Sequence, residues 1–371
     1  MAYTTIDNPE LFFQVKTYTG TGSAASITLD GSEDMQPDWV WIKNRGNSAR
    51  HMLYDVIRGV QKTLFSDLTN AETAGAGHLT AFNSDGFSLG DNSGTGSSNG
   101  SSETYVSWNW KAGTSFSNDA SATSVGSIDS SGSINTTAGF AVITYNSLRT
   151  GSIVQTFAHG LGVAPDLLIF KNITESENWL VWTRDVLATN QHLNLNNTNN
   201  IQTDAGSLNN TAPTSTVITI GADGRTNSTT DGKAHICYVF KQVQGFSKFG
   251  KYTGNGSTDG TFVYCGFKPA WVMVKRLSGT TQGWYMWDNK RNGFNPRNYN
   301  LEANDDAAED DGNERILLLS TGFKWIVSDT IVNNSGTEYL FIAFAESPIV
   351  NSNGVPNNAD RDWETDRKSV V

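Results

Sequence analysis

The chain contains the stretch Pro269-Ala270-Trp271-Val272-Met273-Val274-Lys275, in which a proline precedes five apolar residues and a lysine. Proline cannot donate a hydrogen bond to a sheet ladder, so within sheets it is found at the first residue of a strand. A strand that is apolar at nearly every position is typical of one buried on both faces. The stretch therefore predicts a central β-strand that begins at Pro269 and is covered on both sides.

The same pattern occurs twice more, which indicates an internal repeat. The other copies are Pro37-Asp38-Trp39-Val40-Trp41-Ile42-Lys43 and Pro165-Asp166-Leu167-Leu168-Ile169-Phe170-Lys171. Each copy follows a tyrosine-containing run and a turn, and each closes on an aromatic strand. The closing residues Trp110, Phe240 and Phe344 follow their prolines by 73, 75 and 75 residues. Spacings this regular predict three copies of one module.

The composition favours an all-β chain of three tandem β-sandwich modules of the jelly-roll type. Charged residues make up 17% of the chain, against 36 Gly, 18 Phe, 11 Trp and 11 Tyr, and short β-rich runs between Gly, Asn and Ser are typical of sandwiches. Residues 12–113, 138–245 and 248–348 are expected to superpose, with helix confined to short turns. The predicted divisions are module 1 with an N-terminal arm at 1–113, a Ser/Thr-rich linker at 114–137, module 2 at 138–247, module 3 at 248–348, and a polar tail at 349–371.

Charge and targeting signals narrow the classes of function. The net charge of −11 argues against nucleic-acid binding, which needs a basic face. No stretch approaches the ~20 apolar residues of a membrane span, and the start of the chain lacks the basic and apolar regions of a signal peptide. The last six residues, Asp366-Arg367-Lys368-Ser369-Val370-Val371, resemble a translated sequencing adapter. We therefore interpret part of the tail as an artefact.

The sequence predicts no catalytic and no metal-binding residues. Seven carboxylates cluster at Glu302, Asp305, Asp306, Glu309, Asp310, Asp311 and Glu314. A glycosidase needs two carboxylates at a set separation, one with a raised pKa, whereas these share one loop and are expected to be solvated. A calcium loop fails on spacing, because its first position, counted back from Gly312, would be Ala307. The two cysteines, Cys237 and Cys265, are expected to be buried, reduced thiols, and no cofactor motif is present.

Two Trp-x-x-Trp pairs are the candidate ligand-binding residues. They are Trp179 with Trp182 and Trp284 with Trp287; the first copy has His51-Met52-Leu53-Tyr54 instead. Tryptophans in a sandwich belong to the core first. Positions i and i+3 of a strand face opposite sides, so one member of each pair is expected to be buried and the other to point outward or into the neighbouring module. An outward tryptophan could stack against a sugar.

Several segments resemble a repeated domain of uncharacterised structural proteins of tailed bacteriophages, especially marine ones. They are Tyr3–Phe13, the Tyr-Thr-Gly-Asn-Gly-Ser turn at Tyr252, Gly266–Val272 and Phe341–Glu346. The resemblance implies a virion protein such as a tail fibre, a receptor-binding appendage or a capsid decoration. The strand pattern is also loosely similar to concanavalin A-like jelly rolls. The calcium ligands of that family's sugar site have no counterpart here, so lectin activity does not carry over.

Together the residues and the resemblance predict a phage virion protein, not an enzyme, that adheres to a host-surface glycan. One alternative is a polysaccharide-degrading enzyme on the same scaffold, which would show two carboxylates converging in a groove. Another is a purely structural decoration protein without a ligand. An adhesin would show exposed aromatic side chains. Expected partners are other virion proteins and further copies of the chain in a homotrimer, for which the many aromatic residues could supply an interface.

Overall fold

The computed structural model describes residues 4–75, 78–91, 98–148, 153–312 and 315–348. Strands account for 42% of the chain and helices for 2%, so the all-β prediction is confirmed. The helices within these ranges are a short 3-10 turn at Pro9–Leu11 and one α-helical turn, α1, at Ala120–Thr123. The predicted tail at 349–371 lies outside the described residues.

The strands fall into three consecutive groups, which we call units 1, 2 and 3. Unit 1 contains β1 (Phe13–Thr19), β2 (Ala25–Ile27), β3 (Trp39–Asn44), β4 (Met52–Asp55), β5 (Lys62–Phe65), β6 (Thr73–Ala74), β7 (Leu79–Phe82), β8 (Phe87–Leu89) and β9 (Thr104–Trp110). Unit 2 contains β10 (Thr114–Asn118), β11 (Ser130–Asn135), β12 (Phe140–Asn146), β13 (Gln155–Ala158), β14 (Leu167–Asn172), β15 (Leu180–Thr183), β16 (Gln191–Asn194), β17 (Gln202–Thr203), β18 (Val217–Ile220) and β19 (Ala234–Phe240). Unit 3 contains β20 (Ser247–Thr253), β21 (Phe262–Tyr264), β22 (Phe267–Arg276), β23 (Trp284–Asp288), β24 (Leu301–Glu302), β25 (Ile316–Leu319), β26 (Gly322–Trp325) and β27 (Glu338–Pro348).

Each unit has one large and one small antiparallel sheet, and the large sheets share a strand order. The orders are β1-β9-β3-β4-β5-β6 in unit 1, β10-β11-β12-β19-β14-β15-β16-β17 in unit 2, and β20-β27-β22-β23-β24 in unit 3. In every unit the proline-led strand, β3, β14 or β22, lies between the closing strand and the next strand along the chain. The small sheets are β2-β8-β7, β13-β18 and β21-β26-β25.

Two details of the predicted layout are wrong. Residues 114–137 do not form a linker, because β10 and β11 lie within them and extend the large sheet of unit 2, with β11 paired to β12. Strands at the edge of a sheet pair through their main chains, so a Ser-rich segment with few apolar side chains can still join the sheet. The prolines do not begin the strands either: Pro37 and Pro165 precede theirs by two residues, and Pro269 lies inside β22 at a register shift.

The proline-led strands are buried on both faces, as predicted. Every residue of β3 and β14 is buried. In β3, Val40 and Ile42 pack in the cluster that contains Phe87 of the small sheet. Trp39 and Trp41 face the other way and belong to a larger cluster with members from all three units.

This larger cluster is continuous and joins the inner faces of the three large sheets. The ring of Trp39 stacks on Tyr238 of unit 2, with the centroids 4.3 Å apart. Trp110 meets Trp271 of unit 3 at 5.8 Å, and Phe240 of unit 2 meets Phe344 of unit 3 at 5.6 Å. Each unit therefore contacts both others, and the three share one continuous core.

Main-chain hydrogen bonds follow the same cyclic order at the three junctions. The donor is an amide of the loop that follows β5, β16 or β24, seven residues after the strand ends. The acceptor is a carbonyl of another unit, two residues after the lysine that follows the proline. The bonds join Glu72 N to Ile173 O (3.0 Å), Ile201 N to Leu277 O (3.4 Å) and Glu309 N to Arg45 O (2.8 Å). The last bond connects unit 3 to unit 1 and so closes a ring of the three units.

The lysines that end the proline-led strands are buried at these junctions. Lys43, Lys171 and Lys275 each have 0% of their surface exposed. The ammonium of Lys171 donates to Thr69 O of unit 1 at 3.1 Å, and that of Lys275 donates to Thr198 O of unit 2 at 2.9 Å. The repeated lysine is therefore a donor to main-chain carbonyls at the junctions.

Burial should make these three lysines titrate far below the usual range. It lowers the pKa of Lys171 and Lys275 to about 7 and that of Lys43 to about 8, from a usual value of 10.5. Between these values and 10.5 the unfolded chain binds more protons than the native one, so the free energy of unfolding is expected to rise with pH across that window. NMR titration of protein labelled at the lysine side chains should show three signals that shift near pH 7–8.

The variant Lys171→Met provides the assignment for this titration. It should remove one of the three lysine signals that shift near pH 7–8 and leave the other two. If the pKa values of all three lysines were near 10.5, the result would contradict the burial of their ammonium groups at the junctions.

Candidate binding surface

The four tryptophans predicted to bind a ligand are all buried. Trp179, Trp284 and Trp287 have 0% of their surface exposed, and Trp182 has 2%. The indole N–H of Trp179 donates to Phe65 O of unit 1 at 2.8 Å, and that of Trp284 donates to Asn194 O of unit 2 at 2.8 Å. The first member of each pair thus points into the neighbouring unit, which is the second of the two predicted orientations.

The second member of each pair lies within its own unit. The Trp182 indole N–H donates to Ala188 O at 3.1 Å, and the Trp287 ring meets Trp325 edge-on at 5.3 Å. A side chain buried to this degree has no free face for a sugar ring. The outward orientation, and with it sugar stacking on these tryptophans, is therefore wrong, because the neighbouring unit covers the first member of each pair and residues of the same unit cover the second.

His51 explains why the first copy lacks this tryptophan. It lies at the position of Trp179 and Trp284, is fully buried, and its Nδ1 accepts a hydrogen bond from the Trp41 indole N–H at 2.9 Å. Burial lowers the pKa of His51 well below its usual value, which keeps the ring neutral and able to accept. A histidine–tryptophan pair thus fills the third junction.

The acidic loop also lies at the junction of units 1 and 3. The Glu309 carboxylate accepts from Arg45 at 2.8 Å and from Arg291 at 3.0 Å, and its side chain is only 8% exposed. Asp306 pairs with Arg50 of unit 1 at 3.3 Å. The expectation that every carboxylate of the loop is solvated is wrong for Glu309, which joins two units; Glu314 lies outside the described residues.

The cysteines behave as predicted. Cys237 and Cys265 are buried and unbridged. Burial raises the pKa of the Cys265 thiol to about 12 and that of the Cys237 thiol well above its usual value. Within the described ranges, no three His, Cys, Asp or Glu side chains are grouped so that they could hold a metal ion.

One groove contains two carboxylates, Asp119 and Asp129. It has a volume of about 570 Å³ and lies between α1 and strands β11 and β12. Asp119 accepts from the Ser121 hydroxyl at 2.7 Å and caps α1 by accepting from the amides of Ala122 and Ser121 at 3.1 and 3.0 Å, and these bonds lower its pKa. Asp129 accepts from Ala120 N at 2.9 Å. Both carboxylates thus hold the turn in place, and Asp119 is the opposite of the raised-pKa acid that glycoside hydrolysis requires.

Exposed aromatic side chains lie instead on β21, an edge strand of the small sheet of unit 3. Phe262 is 44% exposed and Tyr264 is 53% exposed, whereas Val263 between them is 5% exposed. Alternate residues of a strand face the same side, so the two rings project from one face. We call Phe262 and Tyr264 the aromatic face.

Unit 1 lacks these aromatic residues at the same place. In the small sheets, Val263 of unit 3 pairs with Phe323, and Ile27 of unit 1 pairs with Phe87 in the same way. The neighbours of Val263, which are Phe262 and Tyr264, therefore correspond to the neighbours of Ile27, which are Ser26 and Thr28. Both unit 1 residues are exposed and polar. The fold therefore does not require aromatic residues here. A position-by-position comparison of the repeats could have identified them from the sequence.

A groove of about 370 Å³ lies beside Tyr264. Its lining consists of Gln242, Gln244, Ser247, Lys248, Tyr264 and Cys265. The Gln242 side-chain carbonyl accepts from Phe249 N at 3.0 Å, which holds that amide in place. The Lys248 ammonium lies 5.4 Å from the centre of the Tyr264 ring. An exposed ring beside amide groups offers both the apolar contact and the hydrogen bonds by which proteins hold sugars.

Comparisons with known proteins place the chain in a family. No helix among the described residues is long and apolar enough to cross a membrane. A search of the curated proteins found no match. One family model, described as a domain of unknown function, DUF7483, matches residues 8–348. This single match runs through all three units, in keeping with their shared core. The chain belongs to the DUF7483 family.

Proposed function

We propose that the chain is a structural and adhesive protein of a tailed-bacteriophage virion, and that it binds a host-surface glycan at the aromatic face. The virion assignment rests on the resemblance of Tyr3–Phe13, Gly266–Val272 and Phe341–Glu346 to repeated domains of phage structural proteins. A tail fibre, a receptor-binding appendage and a capsid decoration all fit this role. The glycan assignment rests on Phe262 and Tyr264.

The observation that carries the proposal is the contrast between the buried and the exposed aromatic residues. All four predicted tryptophans are 2% exposed or less, whereas Tyr264 is 53% exposed beside a groove. An aromatic pair that the repeat does not need, placed next to amides, is what a sugar-binding surface requires. The shared core supports it on a rigid scaffold, which limits the entropy lost on binding.

Homotrimer formation stays part of the proposal, because linked copies of a weak site bind a surface at high effective concentration. The aromatic residues of the central core already pack within one chain, so a subunit interface would have to use the outer surfaces of the ring. Light scattering at micromolar concentration should show three copies. A monomer would contradict this part and leave assembly to another virion protein.

Replacing the aromatic face with the residues of unit 1 should abolish most of the binding. The double variant Phe262→Ser and Tyr264→Thr keeps a strand sequence that unit 1 already uses. Loss of two exposed aromatic contacts is expected to weaken binding by about tenfold or more, as central aromatic residues of an interface do. Wild type and variant would be compared on an array of neutral and acidic bacterial polysaccharides.

The matched control is Ser26→Ala with Thr28→Ala, at the same positions of unit 1, which should bind like wild type. Equal binding by wild type and the aromatic-face variant would overturn the proposed site. Shortened polysaccharide chains in the assay would favour the alternative of a degrading enzyme. Wild-type protein that binds nothing on the array would favour a decoration role.

A further inference from the structure

Lys248, beside the aromatic face, lacks the acidic partner that most lysines of this protein have. Eight lysines lie within 4 Å of a carboxylate: Lys16, Lys62, Lys233, Lys241, Lys251, Lys268, Lys290 and Lys324. Three more are buried at the junctions. Lys248 forms no ion pair with any of the described residues, and its ammonium lies over the Tyr264 ring.

The environment makes this exception informative. The chain carries a net charge of −11, so carboxylates are plentiful and a surface ammonium is readily paired. Lys248 instead lines the groove of about 370 Å³ together with Tyr264, Gln242 and Gln244. A cation, an exposed ring and amide groups therefore converge on one concave surface. Lys111 also lacks an ion pair among the described residues, but it lies near Asp38 and away from this groove.

Comparison of the units shows that the cation and the ring occur together. Tyr252 of β20 pairs with Tyr339, and Tyr18 of β1 pairs with Tyr105 in the same way. Lys248 precedes Tyr252 by the same number of residues as Gln14 precedes Tyr18, so Lys248 corresponds to Gln14. Gln14 is buried and bonds to the main chain of its own unit. Unit 1 therefore has Gln14 and Thr28 where unit 3 has Lys248 and Tyr264. Both differences fall on the same groove, which indicates one specialised site.

We propose that this groove binds a carboxylate-bearing saccharide, an inference that rests on the proposed glycan-binding function and names its ligand class. The sugar ring packs on Tyr264, its carboxylate pairs with the Lys248 ammonium, and the amides of Gln242 and Gln244 bond to its hydroxyls. An ammonium beside a stacked ring distinguishes an acidic sugar from its neutral counterpart by charge. Cys265 takes no chemical part, because burial raises its pKa to about 12.

The test compares an acidic sugar with its uncharged form. The probes are oligogalacturonate, its fully methyl-esterified form, and oligosialic acid as a carboxylate of a different sugar, with binding measured by calorimetry. Wild-type protein should bind at least one of the two acids about tenfold more tightly than the ester, and added salt should weaken the binding. The identity of the preferred acid distinguishes uronic from sialic sugars.

Three variants locate the effect. Lys248→Met should bind the preferred acid no better than the ester, and Lys248→Arg should keep part of the preference. Lys251→Met is the matched control, because Lys251 lies on the same strand and is already paired with Glu338 at 2.7 Å. It should bind like wild type, and a thermal unfolding curve for each variant would check that the fold is kept.

The possible failures are distinguishable. Equal binding of acid and ester that is lost in Tyr264→Thr overturns the acidic-sugar inference and leaves the glycan site in place. A loss in Lys251→Met as large as in Lys248→Met overturns it as well, since the effect would then be one of overall charge. Binding of neither acid overturns it outright, and array binding that does not depend on Tyr264 removes the proposed function with it.

Discussion

Replacing Trp271 with alanine is expected to lower the free energy of unfolding by about 3–5 kcal/mol, the range found when large aromatic side chains are deleted from packed cores. Trp271 is 2% exposed and lies where the three units meet. Its ring contacts Trp110 of unit 1 at 5.8 Å and Phe344 at 6.0 Å. Because the core is shared, the loss should destabilise all three units in one transition. Urea unfolding followed by fluorescence and circular dichroism measures both points.

Two further variants sharpen this experiment. Trp271→Phe should cost less than the alanine variant, because it keeps most of the ring and removes an indole N–H that has no partner among the described residues. Phe294→Ala is the exposed control, at 75% exposure, and should change stability by less than about 0.5 kcal/mol. A loss of under about 1 kcal/mol for Trp271→Ala, or separate transitions for different units, would contradict the shared core.

Glu309→Gln is expected to lower the free energy of unfolding by about 3 kcal/mol, because removing one partner of a buried ion pair leaves the other charge uncompensated. Gln keeps the size of the side chain and removes the charge between Arg45 and Arg291. The Arg291 side chain is 1% exposed, so water cannot replace the lost carboxylate. Arg291 keeps its bond to Asp288 at 2.6 Å, so the expected loss lies at the low end of the roughly 3–5 kcal/mol found when one partner of a buried ion pair is removed.

The control for this variant is Glu338→Gln. Glu338 pairs with Lys251 at 2.7 Å, but the two side chains are 47% and 44% exposed. Pairs in water contribute about 0–1 kcal/mol, so the control should be nearly neutral. Hydrogen exchange provides a local measurement, since the Glu309 amide should exchange faster in Glu309→Gln. Equal stability of the two variants would show that Glu309 does not hold units 1 and 3 together.

The sequence predicted those features that depend on local pattern. Every residue from Trp271 to Val274 is apolar, so the burial of this strand on both faces could be predicted directly. The regular spacing of Trp110, Phe240 and Phe344 predicted a repeat, and the large sheets of the three units share a strand order. Burial of Cys237 followed from the apolar run around it.

The features that were missed depend on contacts between units, on main-chain pairing, or on a comparison of the repeats. The indole N–H groups of Trp179 and Trp284 donate to carbonyls of neighbouring units, whereas spacing along the chain left two orientations open, outward or into the neighbouring unit. Glu309 looked solvated because its two arginine partners, Arg45 and Arg291, are remote in sequence or in a different loop. Residues 114–137 have few apolar side chains, yet an edge strand needs only a main-chain partner. The aromatic face was missed because Phe262 and Tyr264 stand out only against Ser26 and Thr28.

Closure of the ring has a consequence for the order of events during synthesis. The ion pair between Arg45 and Glu309 joins residues 264 positions apart. At about 5–20 residues per second, roughly 10–50 s separate the synthesis of the two partners. During that interval the inner face of unit 1, with Trp39 and Trp110, lacks its final cover. Such long-range contacts slow folding, and an apolar face left open on the ribosome is a target for chaperones or for a neighbouring nascent chain.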